Sequence, residues 1–202
     1  MTTPVLLVDY GGVISLPQPP GSVDAMAALV DLPKQTFSER YWMHRPAHDR
    51  GVEARAYWSA VAGRELTDER VVEQLVRIDV ASWSHLNTAT MEVLGGLHAR
   101  GIAMSILSNA PREMAAVLRA DPRFGIFDHL IFSSDIGVVK PSRGAFSAAL
   151  GLLHRAPDEV VFIDDRPDNV AAAAAAGLEG LLFTSADQLS AELAARVAPL
   201  RR

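Results

Sequence analysis

The chain has 202 residues, a formal net charge of -5, a hydrophobic fraction of 49% and a charged fraction of 21%, which suits one large globular domain or a domain with a modest insert. The acidic balance argues against a nucleic-acid surface, which carries a basic excess, and the terminal pair Arg201 and Arg202 is too short for a basic tail. The absence of cysteine excludes a disulfide framework, a zinc–thiolate site and a cysteine nucleophile; no run resembles a signal peptide or approaches the roughly 18 apolar residues of a membrane span, so a cytoplasmic enzyme or binding protein is expected.

The first apolar run, 4–9, is short and ends in Asp9, the pattern of a strand buried on both faces. From 15 to 85 there is no strand pattern. That stretch opens on the breaker-rich link Leu16-Pro17-Gln18-Pro19-Pro20-Gly21. Helical periodicity follows at 23–30, 34–44, 53–62 and 68–81. Pro33 suits a helix start, and Thr67-Asp68-Glu69 reads as an N-cap with acidic first-turn residues. A small helical insert lying over the sheet is expected. Beyond it, helical patterns at 88–100, 111–120, 143–154, 167–176 and 186–197 alternate with strand patterns at 102–108, 129–133, 159–164 and 180–184. Gly101 and Gly177 stand just past helix ends, where a left-handed residue is needed. Such alternation predicts parallel βαβ units in a doubly wound α/β sheet.

Open α/β sheets bind ligands at the carboxyl ends of their strands. Strand one ends in Asp9, strand two in Ser108-Asn109 and strand four in Asp164-Asp165, while Lys140 lies in the loop after strand three. A carboxylate can attack phosphorus and split one hard hydrolysis into two easier steps. Because nucleophile and substrate are both anionic, a hard divalent cation must bridge them; magnesium is satisfied by one or two carboxylates, a carbonyl and waters. Asp9, Asp164 and Asp165 supply such oxygens. Lys140 would neutralise phosphoryl oxygens and hold Asp9 ionised. Ser108 and nearby backbone N–H groups, at the start of a helix near Pro111, would hydrogen-bond the same oxygens.

Val5-Leu6-Leu7-Val8-Asp9-Tyr10-Gly11-Gly12-Val13, Ile106-Leu107-Ser108-Asn109, Val139-Lys140-Pro141 and Val161-Phe162-Ile163-Asp164-Asp165-Arg166-Pro167-Asp168-Asn169 resemble, in order, the four motifs of the haloacid dehalogenase-like superfamily, in its helical-cap (C1-type) branch. The resemblance covers residues 4–14 and 86–185; each motif alone is weak, and the ordered set is specific. It implies a Rossmann-like parallel core, 1–14 and 86–202, with a small α-helical cap at 15–85. It also implies a Mg2+-dependent phosphatase acting on a small phosphorylated metabolite through an aspartyl-phosphate, with no nucleic-acid or membrane partner. In it Asp9 would be nucleophile and metal ligand, and the Gly11 carbonyl and Asp165 further ligands. Asp164 would bind the metal or orient Lys140. Ser108, Asn109 and Lys140 would hold the phosphoryl group, and Asn169 would brace the aspartate pair.

One position departs from the pattern. Most phosphatases of the family carry a second aspartate two residues after the nucleophile, as proton donor and then base; here it is Gly11, and loss of a general acid costs about 10²–10⁴-fold in rate. Three readings stay open: a leaving group needing little help, such as an anomeric phosphate; another group, such as His44, His48 or a water; or a weak catalyst. The family's 2-haloacid dehalogenases also lack that aspartate, but their fourth motif lacks the adjacent acidic pair, which beside Asp9 needs a cation. In the insert, His44, Arg45 and His48 are candidates for substrate contact, with Arg50 a further guanidinium. Tyr41, Trp42, Tyr57 and Trp58 are expected to pack the insert's core.

Overall fold

The computed structural model describes residues 4–196, so Val197, predicted as the end of the last helix, and the Arg201–Arg202 pair lie outside the described residues. Between strand β1 (Val5–Val8) and the next strand run α1 (Pro20–Leu29), α2 (Lys34–Asp49), α3 (Ala54–Ala62), α4 (Glu69–Trp83) and α5 (Thr88–His98). The remainder alternates: β2 (Met104–Ser108), α6 (Arg112–Ala120), β3 (His129–Phe132), the single-turn α7 (Ser133–Ile136), α8 (Arg143–Leu153), β4 (Val160–Asp164), α9 (Pro167–Ala175), β5 (Glu179–Leu182) and α10 (Ala186–Arg196). The strands form one parallel sheet in the order β3-β2-β1-β4-β5. This is the expected α/β, Rossmann-like architecture.

Every residue of β1 is buried, because helices cover both faces of the sheet. Leu6 and Val8 pack toward Leu94 and Leu97 of α5, Met114 and Leu118 of α6, and Leu189 and Leu193 of α10. Leu7, pointing the other way, joins Phe162 of β4 with Phe146 and Ala149 of α8 and Ala173 of α9. β2 and β4 are buried throughout, as the unbroken apolar runs require. The edge strands depart from that expectation: β3 and β5 each begin exposed, and Leu182 remains 39% exposed, since an edge has a neighbour on one side only.

Helices α1 to α4 have an apolar centre of their own, including Met26, Phe37, Tyr41, Tyr57, Trp58, Val61 and Leu75. Three of the four aromatics expected there are buried; Trp42 is 52% exposed and is a correction to that expectation. α2 also runs past its predicted end at 44, through Pro46 to Asp49. A proline inside a helix removes one N–H and ordinarily ends the pattern. Here burial of one face overrides it: Phe37, Tyr41, Arg45 and Asp49, spaced four apart, are all buried. Asp68 caps α4 by accepting from the Arg70 N–H. The two chains joining α1–α4 to the sheet are bonded to each other, Leu16 N–H to His85 C=O at 2.7 Å and Asn87 N–H to Ile14 C=O at 2.8 Å. The Ser133 hydroxyl donates to the Asp49 carbonyl at 2.5 Å and Arg112 meets Glu53 at 2.6 Å, fastening the end of α2 to the sheet. Among the described residues no helix is long and apolar enough to cross a membrane.

Trp58 is fully buried and stacks on Phe37 with ring centroids 6.3 Å apart. Trp58→Ala is expected to lower unfolding free energy by about 3–5 kcal/mol, read from the midpoint and slope of urea denaturation. A loss within the ordinary surface range would show that this apolar centre does not contribute to the cooperative fold.

Candidate active site

The strand order reverses beside β1: β2 and β3 lie on one side of it, β4 and β5 on the other. The crevice at the carboxyl ends of β1 and β4 is therefore the switch point of the sheet. Val8 pairs with Ile163, and the Asp9 N–H continues the ladder to the Ile163 carbonyl at 2.8 Å. Asp9 thus comes abreast of Asp164 and Asp165.

Lys140 enters from the loop between α7 and α8. Its Nζ lies 2.7 Å from Asp9 Oδ1 and 2.7 Å from Asp164 Oδ2, with 1% of its side chain exposed. Asn109 positions that lysine: its Nδ2 donates to the Lys140 carbonyl at 2.9 Å and its Oδ1 accepts from the Lys140 N–H at 2.8 Å. The Asn109 side chain therefore holds the Lys140 backbone rather than standing open to an anion. Asp164, fully buried, also accepts from the Arg166 N–H at 2.9 Å and from Asn169 Nδ2 at 3.0 Å. Asp9 accepts from the Tyr10 N–H at 2.7 Å. Burial pushes the Asp9 carboxyl up from 3.8 to about 7; Lys140 opposes the rise and Asp164 adds to it. Burial, and then Asp164, also raise Asp165.

Oxygens of Asp9, Asp164 and Asp165 lie within 4.8 Å of one another. Among the described residues one ammonium does not balance three carboxylates, and Asn169 Oδ1 is buried without a partner. Hard oxygen donors with surplus negative charge fit a divalent cation such as Mg2+. Gly12 makes the approach possible: its φ is +75°, and a Cβ there would come within 2.4 Å of Asp165 Oδ2. No local signal in the sequence shows that requirement, beyond a glycine after the nucleophile motif.

Above this floor lies a cavity of about 660 Å³. Ser108, Asn109, Lys140, Asp165 and Asn169 line it from the sheet, and Trp42, Arg45, Pro46, Asp49 and Trp83 from α2 and α4. At Gly11 the Trp83 indole sits 3.9 Å from where a Cβ would stand. The Trp83 carbonyl accepts from the Tyr10 hydroxyl at 2.7 Å and its Nε1 donates to the Tyr41 hydroxyl at 3.2 Å. One ring carbon of Trp83 thus lies at ordinary contact distance from position 11.

Of the three insert residues expected at the substrate, Arg45 lines the cavity and the histidines do not. His48 is buried, stacks on Tyr57 with ring centroids 4.2 Å apart, and pairs Nδ1 with the Val52 carbonyl at 3.0 Å. Burial lowers its pKa, and its Nε2 lies 3.6 Å from Glu113. His44 is half-buried outside the cavity. Sequence reading missed Asp49, Trp42 and Trp83 as cavity residues. For Asp49 the four-residue spacing from Arg45 was a usable signal; for Trp83, some 70 residues from Asp9, there was none.

Comparison with known proteins is consistent with this arrangement. The sequence model of the family described as haloacid dehalogenase-like hydrolase matches residues 4–177. The chain is 32% identical over 130 residues to a phosphoglycolate phosphatase of Pectobacterium atrosepticum, covering 61% of this chain and 56% of that protein. It is 28% identical over 123 residues to a drimenol cyclase of Aspergillus calidoustus, covering 61% and 22%. The chain thus spans little more than half, or less, of the curated relatives it matches. Its fold is similar to that of a family enzyme from Bacteroides thetaiotaomicron crystallised as a magnesium complex (TM-score 0.77, 17% identity, 96% and 99% of the two chains). It is also similar to L-2-haloacid dehalogenase from Xanthobacter autotrophicus with chloropropionic acid covalently bound (TM-score 0.67, 20% identity, 98% and 86%).

The Asp9 shift has a measurable consequence. The folded, metal-free protein keeps that proton up to about pH 7, whereas an unperturbed carboxyl releases it near 3.8. The native state then binds more protons than the unfolded state, so stability falls as pH rises between those values. Asp9→Asn removes this penalty. In chelator, the variant is expected to melt several degrees above the parent at pH 8 and level with it near pH 4, by scanning calorimetry. The same difference at both pH values would refute the assignment.

Proposed function

Because the chain belongs to the haloacid dehalogenase-like hydrolases, we propose that it is a Mg2+-dependent phosphatase whose Asp9 attacks the phosphorus of a small phosphorylated metabolite, a sugar phosphate fitting best. The observation that carries this reading is the convergence of Asp9, Asp164 and Asp165 within 4.8 Å, with Lys140 as their sole bonded ammonium among the described residues. A metal-independent hydrolase of C–X bonds would leave that surplus charge unmatched.

Each residue has a task in this scheme. Asp9 displaces the alcohol and becomes an aspartyl-phosphate, which water then cleaves. Lys140, bridging Asp9 and Asp164, draws the nucleophile toward its ionised form and offers positive charge to the phosphoryl oxygens. Asp164 orients Lys140, Asn169 braces Asp164, and Asn109 fixes the lysine's backbone. The Ser108 hydroxyl, buried at the end of β2, hydrogen-bonds the phosphoryl group. Asp9, Asp165 and the Gly11 carbonyl, with Asp164 beside them, would hold magnesium, which would supply the remaining neutralisation of charge. That a fold neighbour from Bacteroides thetaiotaomicron was crystallised with magnesium and inorganic phosphate supports this choice of ion. Residues 15–85 act as the cap, since α2 and α4 wall the cavity and limit the size of what enters. The core is then 1–14 and 86–202, acting on cytoplasmic metabolites.

Gly11 has no side chain to protonate the leaving group, and the Trp83 indole beside it is no general acid, its N–H being bonded to Tyr41, so departure of the alcohol depends on its own acidity. That favours anomeric phosphates, which leave with little help.

With Mg2+ and a panel of phosphate esters, turnover is expected that stops in chelator and falls at least about 10³-fold in Asp9→Asn. Chloride release from 2-haloacids, insensitive to chelator, would instead mark a dehalogenase. Among esters of similar size, an aryl phosphate should exceed an alkyl phosphate by about 10²–10⁴-fold in kcat/KM. Equal rates would mean that a proton donor acts after all.

A further inference from the structure

The cavity wall opposite the nucleophile constrains what the phosphoryl group is attached to. Arg45, 7% exposed, directs Nε to Asp49 Oδ1 at 2.7 Å and Nη1 to Asp79 at 3.1 and 3.3 Å. Asp49 is 7% exposed and Asp79 3%. The Tyr41 hydroxyl donates to Asp79 Oδ1 at 2.6 Å, and Gln18, bonded to Ser82 at 2.7 Å, closes the far side. Two buried carboxylates therefore flank one buried guanidinium, and both Arg45 and Asp49 line the cavity.

The other cations lining the cavity are engaged as well. Lys140 lies between Asp9 and Asp164. Arg166, at the start of α9, pairs with Asp168 at 2.8 Å in an exposed bridge on the sheet side. Near α2 and α4 the remaining surface is Trp42 and Trp83, their rings 6.4 Å apart at 85°, with Pro17 and Pro46.

We propose that the alcohol portion of the substrate is an uncharged, hydroxylated ring, and that the Asp49–Arg45–Asp79 triad excludes esters whose alcohol carries a carboxylate. The inference rests on the phosphatase reading and adds the substrate class. A second anion entering this wall meets Asp49 before it meets unmatched positive charge, and bringing like charges together out of water is unfavourable. Specificity then comes from repulsion as much as attraction. Hydroxyl groups meet no such cost: they donate to Asp49 and accept from Arg45 Nη2, which has no hydrogen-bond partner among the described residues. The apolar faces of a ring rest against indole.

Glucose 1-phosphate and glucuronate 1-phosphate test this directly, because they share the anomeric leaving group and differ in one carboxylate. With Mg2+, kcat/KM is expected to be at least about tenfold higher for the neutral ester, a factor equivalent to 1.4 kcal/mol. Asp49→Asn, which leaves one carboxylate to one guanidinium, is expected to narrow that gap. Equal or greater activity on the glucuronate ester would overturn the inference and leave the phosphatase reading intact. If neither ester is hydrolysed and the wider panel is also inert, the phosphatase reading falls. Titration of both esters into Asp9→Asn, followed by tryptophan fluorescence, then decides the inference separately. Tighter binding of glucose 1-phosphate supports it; tighter binding of the glucuronate ester, or binding of neither, overturns it.

Discussion

The structure depends on keeping a surplus of negative charge at the one place where the sheet can gather it. Parallel strands meeting at a switch point bring Asp9 and Asp164 side by side, out of water, with Lys140 between them. Buried carboxylates are tolerable only when paired and hydrogen-bonded. Asp164 meets that condition in full, with bonds from Lys140, Asn169 and the Arg166 N–H. Asp9 meets it in part: burial carries its carboxyl up to about 7, against the pull of Lys140. The difference matters chemically: a fully satisfied carboxylate is a scaffold, whereas a partly satisfied one is available to a cation and to phosphorus.

Around that centre the chain uses distant pieces to hold short distances. Asn109, at the end of β2, clamps the backbone of Lys140 from a loop 31 residues later. Gly12 leaves room for Asp165. The end of α2 is bonded to Ser133 beside β3, so the wall carrying Arg45 and Asp49 is fastened to the same sheet that carries Asp9. Rigid placement of both sides of a cavity is what allows charge on one side to discriminate among molecules held on the other.

Much of this was legible in the sequence. Short apolar runs punctuated by polar strand ends told the parallel core apart, and the ordered motifs around Asp9, Ser108, Lys140 and Asp164 located the sheet edge at which those residues converge. What escaped notice obeys longer-range physics. The helical pattern of α2 stopped at 44, because local rules cannot know that Arg45 is buried between Asp49 and, across the insert, Asp79. Trp42 carries an aromatic side chain on a helix, and nothing local says that its face of α2 looks onto a cavity instead of a core. His48 seemed suited to substrate contact by its chemistry, yet its stacking on Tyr57 is a tertiary fact.

Trp83 joins matters that otherwise look separate. Its carbonyl holds the hydroxyl of Tyr10, the neighbour of Asp9, while its indole lies beside Gly11. The nearest indole carbon is 3.9 Å from where a Cβ at position 11 would stand, an ordinary contact distance. One residue at the end of α4 therefore touches both residues that follow Asp9, and a displacement of that helix would reach Tyr10 and Gly11 together.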